Sequence, residues 1–261
     1  MPFLSTSTLS SLRSTPLLAS SWYYIAAATF TVCNKPEAIP EIFKYAVEHD
    51  AKLSGRSFRT ENLVTVSQFS DSQSHYGSED ESLLVDCSNS DPEIVLQIAK
   101  NTREALLKGA ALAGLPKTIN SLIQLRNATP TEFREKAPLR GSLSTAEELE
   151  RGQKFWDQVY GKVSKRVIGQ MGTAYPDLAQ YALQHVYGPL LSYTEILSAR
   201  ETSFVVIACL IPQDVNPQLK GHLRGGLNNG ATIDELMSVR SLSMKICEIC
   251  GVTWTTEVAK L

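Results

Sequence analysis

Residues 40–49 (PEIFKYAVEH) return in altered form at residues 176–185 (PDLAQYALQH), aligned without a gap and with the proline, tyrosine, alanine and histidine identical. The echo continues downstream. Arg103-Glu104 opens an alanine-rich stretch as Arg200-Glu201 opens an apolar one, and Pro116-Lys117 stands where Pro217-Gln218 stands in the later copy. Self-similarity on this scale commits a chain to two related substructures that bury their apolar faces against each other. Two degenerate helical repeats packed as one unit are expected.

Helix punctuation fills in the elements. Ser144/Glu147, Ser198/Glu201 and Thr232/Glu235 each have the spacing of a capping box, in which a cap hydroxyl and a glutamate three residues on satisfy each other's backbone amides. Asp91-Pro92 and Asn216-Pro217 put a cap residue ahead of a proline at the first helical position. Helices are expected from Pro16 through the Trp22–Tyr24 aromatics, over 37–49, 91–114, 116–128 and 176–191. One long helix is expected from Ser144 to about Met171, with Trp156, Tyr160, Val163 and Val167 as its buried stripe. A hairpin around residues 198–230 and a last helix to about Cys250 complete the series. The nearest approach to a strand is Leu63 to Phe69, so the fold class is all-α. The organisation reads as an N-terminal arm (1–15), a first repeat (16–136) holding an acidic excursion (51–90), a second repeat (137–258) and a C-terminal tripeptide (259–261).

A net charge of −2 gives no electrostatic reason to expect nucleic acid as a partner. The apolar run from Leu17 to Cys33 is broken by Ser20, Ser21, Thr29 and Thr31 and falls short of the ~20 apolar residues of a membrane span. Cysteines at 33, 87, 209, 247 and 250 have no disulfide-like spacing, which points to a reducing compartment. Cys247 and Cys250 form the one CxxC, but without a second pair or a nearby histidine they do not make a zinc site, and core packing is the expected role. No metal and no cofactor is expected. The last three residues, Ala259-Lys260-Leu261, have the small-basic-Leu form of a peroxisomal address, which predicts a peroxisomal import receptor as partner. The acid-free, Ser/Thr-rich first 20 residues hold only Arg13, so a mitochondrion is the second choice.

Chemistry is expected at the 198–230 hairpin. Gln218 and His222 share a helix face one turn apart, beside a ridge of Leu219, Leu223 and Leu227. Gly221, Gly225 and Gly226 lie alongside, each disfavoured in a helix by roughly 1 kcal/mol relative to alanine, so something approaches the backbone there. The first repeat has Ser121 and Lys117 at the positions of His222 and Gln218, so the fold itself does not require the pair. Histidine beside an apolar wall suits proton transfer. Glu201 is both a candidate base and the acid of its own capping box, and both readings stay open. Cys209 lies in an apolar run and fits a lining role. His185 has His49 as its counterpart, which favours a shared structural role.

The segment Leu197 to Glu201, the apolar helix after it, Gln218 to His222 and the run Gly226 to Glu235 resemble the carboxymuconolactone decarboxylase family, within the alkyl hydroperoxidase D-like superfamily. His185 to Gly188 and Arg103 to Pro116 are similar to two-copy fungal members, some of them peroxisomal. The resemblance spans about residues 90–250. It implies an all-helical fold, homo-oligomers, and a pocket with Glu201 and His222 as general acid/base groups. The peroxidase-linked branch places a CxxC ahead of that histidine, and residues 216–222 contain no cysteine.

The leading expectation is therefore a cofactor-free decarboxylase-like or proton-transfer enzyme acting on a small carboxylic acid or lactone. His222 would donate the proton, Glu201 would be its partner or base, and Arg200 or Arg224 would anchor the carboxylate. Gln218, Cys209 and His185 complete the substrate-binding set. The rivals are a non-catalytic peroxisomal binding or scaffold protein with the same fold, and a thiol-dependent peroxidase using Cys247 and Cys250.

Overall fold

The computed structural model describes residues 2–51, 83–141 and 144–261. All regular structure among them is helical: α1 (Thr6–Arg13), α2 (Trp22–Val32), α3 (Ala38–Asp50), α4 (Pro92–Ala113), α5 (Leu115–Ala128), α6 (Thr145–Tyr160), α7 (Ser164–Ala174), α8 (Pro176–Tyr181), a π-helix (Ala182–Leu191), α9 (Ala199–Leu210), α10 (Asn216–Asn228) and α11 (Ile233–Ile249), with short 3₁₀ turns between some of them. The all-α expectation holds. Most of the proposed excursion, and the Leu63 to Phe69 stretch with it, lies outside the described residues.

The centre of the fold is α2. Each of its 11 residues is buried, including Thr29 and Thr31, whose hydroxyls bond back to the carbonyls of Ile25 and Ala27. A helix that is apolar all round has to be enclosed on every side. Here α4, α9, α11 and α3 surround it. The same hydroxyls reach outward to Ser243 (3.3 Å) and Ser121 (2.8 Å), which satisfies polar groups that burial would otherwise penalise.

Residues 2–15 pack against the rest of the fold. Ser5 caps α1, Leu9 and Leu12 are buried, the Phe3 and Leu4 amides donate to the Glu41 carboxylate, and Arg13 pairs with Asp50 at 2.7 Å. The predicted 144–171 helix is also interrupted. Gly161, at φ +52, ends α6, and a 3₁₀ turn leads into α7. A left-handed residue cannot continue a helix, and glycine adopts it with no Cβ penalty. The α7–α8 pair therefore stands away from α6, and the supposed stripe divides: Trp156 is buried, Tyr160 and Val167 are half-buried, and Val163 is 37% exposed.

The second predicted helix, 176–191, changes its winding after Tyr181. Pro189 sits inside the π-helix, where it brings no N–H to the helical ladder. Alongside runs α6, and the two cross glycine on glycine: a Cβ on Gly152 would stand 2.6 Å from the Gly188 Cα. The C-terminal end of the π-helix is closed by Lys108, fully buried, whose ammonium donates to the carbonyls of Leu190, Leu191 and Tyr193 at 2.7–3.1 Å. Glu104, 3.5 Å from Lys108 and bonded also to Arg140, balances that charge.

Candidate functional site

Between α6, α7, α8, the π-helix and α10 lies an open cleft of about 980 Å³, touched on one side by Ala111 and Leu112 of α4. That volume is at the upper end of the ~300–1,000 Å³ usual for sites that hold organic ligands. The Gly161 break creates it by letting α7 and α8 diverge from the body. Its walls are apolar, with Trp156, Val159, Val167, Met171, Val186 and Val206 among them. Its polar residues are Tyr160, Tyr187, Gln170, Gln218, Asn228, His222 and four cations, Lys162, Arg166, Lys220 and Arg224; among the described residues no aspartate or glutamate lines it.

His222 reaches this wall because α10 is seated by its glycines. A Cβ on Gly225 would meet Val159 Cγ1 at 2.8 Å and the Val159 carbonyl at 3.2 Å, and one on Gly226 would meet Leu236 at 2.7 Å. Those two glycines serve helix crossings with α6 and α11. Gly221 differs: a Cβ there would meet nothing within 4 Å, because the residue faces the cleft. The ridge predicted beside it divides too, with Leu219 and Leu223 buried and Leu227 37% exposed at the cleft.

The imidazole is enclosed by protein but keeps partial exposure through the cleft. Burial disfavours its cation and pushes its pKa down from 6.5 to about 4, so His222 is neutral at neutral pH. Its Nε2 lies 3.4 Å from the Tyr160 hydroxyl, which in turn accepts from Tyr187 Oη at 3.2 Å. Burial raises the pKa of both phenols, Tyr187 the further. With Tyr187 donating to Tyr160, the Tyr160 hydroxyl either donates its own proton to Nε2 or accepts from it, according to the imidazole tautomer. Trp156 packs against this group, tilted on Tyr160 with ring centroids 4.3 Å apart and edge-on to Tyr187 at 4.6 Å, and its buried indole N–H has no partner among the described residues.

Of the residues expected at the site, His222, Gln218 and Arg224 do line the cleft. Glu201 does not. It completes the capping box of α9, accepting from the Ser198 amide and hydroxyl, and its other oxygen is 3.4 Å from the Tyr24 hydroxyl. Arg200 pairs with Glu235 at 2.8 Å on the surface. Cys209 is fully buried, 3.4 Å from where a Gly109 Cβ would be, and its thiol is pushed up to about 12. His185 is exposed and leans on Tyr181, ring centroids 5.2 Å apart. Its counterpart His49 stacks on Tyr45 at 3.8 Å, the same i,i+4 pairing in both aligned stretches. Cys33 sits in hydrogen-bond contact with both Cys247 and Cys250, joining the end of α2 to the end of α11. Among the described residues no cluster of His, Cys, Asp and Glu is able to hold a metal ion.

Sequence reasoning missed Tyr160, Tyr187, Lys162, Arg166 and Lys220. Tyr160 was assigned to a buried stripe, and the break at Gly161 that turns it toward a cleft carries only the weak signal of a lone glycine.

The fold and cleft define an all-α protein with an open, mostly apolar cleft, a neutral histidine in its wall and cations along its lining. Among the described residues no helix is long and apolar enough to cross a membrane. Two yeast proteins match the chain over most of its length, both named Peroxisomal protein 2. The Saccharomyces cerevisiae protein is 37% identical over 270 aligned residues, covering 94% of each chain. The Schizosaccharomyces pombe protein is 32% identical over 239, covering 92% of this chain and 91% of the relative. The chain belongs to the Peroxisomal protein 2 family, and its location is the peroxisome. No protein-family model and no solved structure matches it, and membership of the carboxymuconolactone decarboxylase family is not shown.

Proposed function

We propose that the chain is a cofactor-free enzyme that moves a proton on an organic acid or lactone bound in the cleft, a decarboxylase-like carbon–carbon lyase or a related proton-transfer catalyst. The observation that supports it most directly is His222 in the wall of a cleft whose lining includes four cations and, among the described residues, no acid. A neutral imidazole is a base. It takes a proton from the carbon next to a carbonyl, the electron pair moves onto the carbonyl oxygen, and the imidazolium returns the proton to the product. In a decarboxylation the carbon–carbon electron pair stays on the substrate carbon as CO₂ departs, that carbon takes its proton from the His222–Tyr160 pair, and solvent water returns a proton to the pair. Arg224 and Arg166 steady the carboxylate or enolate charge. Tyr160 takes the partner role that the sequence suggested for Glu201.

The test is a panel of 2-oxo acids, 3-oxo acids and lactone carboxylates in heavy water, with deuterium incorporation and CO₂ release followed by NMR. His222→Gln should reduce turnover by roughly 10²–10⁴-fold, the usual contribution of one acid/base group. Wild-type turnover that persists in His222→Gln sinks the assignment. Glu201 in its cap favours a second reading, a binding protein without catalysis, which predicts saturable ligand binding with no exchange in any member of the panel.

A further inference from the structure

The cleft is larger and more one-sided than proton transfer on a small acid requires. Its apolar wall continues away from His222 along Val163, Val167 and Met171 of the α6–α7 region and Leu178, Ala182 and Val186 opposite. Val163 is 37% and Leu178 41% exposed, so this strip is open to solvent as it stands. Among its lining residues are four cations: Lys220 and Arg224 are spaced i,i+4 on α10 and share its face, while Lys162 in the 3₁₀ turn precedes Arg166 in α7. Elsewhere many cations have carboxylate partners, among them Arg13, Arg103, Arg140, Arg200 and Lys260. Among the described residues no ion pair holds any of the four at the cleft. Trp156 also lines the cleft, and its buried indole N–H has no hydrogen-bond partner among the described residues.

An apolar channel beside unpaired positive charges complements one kind of molecule. We infer that the cleft takes an amphipathic anion, an aliphatic acyl chain whose head is a free carboxylate or a phosphate-bearing thioester. The chain lies against Val167, Met171, Ala182 and Val186, and the head lies among the four cations. This names the substrate class of the proposed function, and rests on that reading only in placing the reacting carbons beside His222. Chain burial supplies most of the affinity, and the cations set which end enters first.

The experiment is displacement of a fluorescent dansyl fatty acid from the full-length protein by hexadecanoate, its coenzyme A thioester, or coenzyme A alone. Hexadecanoate or its thioester should displace the probe. Competition by coenzyme A alone identifies phosphates as the head, and competition by hexadecanoate alone identifies a carboxylate. Arg166→Glu/Arg224→Glu, at exposed positions, should weaken binding at least about tenfold, as expected for lost charge-assisted contacts. Met171→Trp should exclude long chains while leaving short ones. Circular dichroism checks that each variant is folded. Absence of saturable binding by the wild type, or equal binding by the charge-reversed and Met171→Trp proteins, overturns the inference. Turnover of short acids without acyl binding defeats it and spares the catalytic reading; acyl binding without turnover does the reverse.

Discussion

The Glu201 carboxylate accepts hydrogen bonds from the Ser198 amide at 2.9 Å and the Ser198 hydroxyl at 2.7 Å, locking the first turn of α9. A carboxylate held this way is a helix cap. Glu201→Gln should leave proton transfer within a few-fold of wild type, whereas Ser198→Ala should lower stability by about 1 kcal/mol, the usual worth of a cap. Thermal melting alongside the exchange assay separates the two. A hundredfold loss of turnover in a fully folded Glu201→Gln protein would return the glutamate to the chemistry.

His222 links stability to pH. Its folded pKa of about 4 is below the unfolded value near 6.5, so between these limits the unfolded chain binds the extra proton. Stability is therefore fully present above about pH 6.5 and falls as pH drops towards 4, by at most about 3 kcal/mol. Urea titrations at pH 7 and pH 4.5 should show that loss, and His222→Gln should remove that part of it.

Two neighbouring glycines should respond with opposite signs. Gly225→Ala forces a methyl against the Val159 side chain and carbonyl, and the backbone contact cannot yield, so a net loss of about 1–2 kcal/mol is expected. Gly221→Ala places its methyl in open cleft and should gain up to about 1 kcal/mol from helix propensity. Melting temperatures for the two variants decide it.

Lys108 closes three carbonyls at the end of the π-helix from a fully buried position, with desolvation drawing its pKa down to about 8. Lys108→Met should cost about 3 kcal/mol or more, since it strips the carbonyls and leaves Glu104 with one partner fewer. Chemical denaturation measures this directly. A stability change below 1 kcal/mol would show that water takes over the capping.

The thiols should be sluggish. Cys33 and Cys209 are pushed up to about 12 and Cys87 to about 11, so little thiolate is present at pH 8. Iodoacetamide should label the folded protein far more slowly than the urea-unfolded one. Rapid disulfide formation between Cys247 and Cys250 under mild peroxide would instead revive the thiol-peroxidase reading.

What the sequence disclosed follows from how local each signal is. Ser144/Glu147, Ser198/Glu201 and Thr232/Glu235 write their caps within four residues, and all three form. The burial of α2 was legible because Trp22 to Val32 has no polar face to expose. His222 and Gln218 could be placed at a wall because the proline-started α10 fixes their phase. The cleft itself was not legible: it depends on Gly161 parting α7 from α6, and on which of several surface cations end up facing the same space. Glu201 and His222 sit close in sequence on adjoining helices, but helical phase turns one to a cap and the other to the cleft, and motif spacing does not carry that phase across a turn.

The Gly152–Gly188 crossing has a consequence for how relatives of this protein diverge. With no room for even a methyl between α6 and the π-helix, the base of the cleft is fixed in place, and Tyr160 and Tyr187 with it. Variation in ligand size has to be written on the far wall, at positions such as Val167, Met171 and Val186, where side chains change length without moving a backbone. One face of the cavity is thus held by backbone packed on backbone, and the other by side chains free to change length.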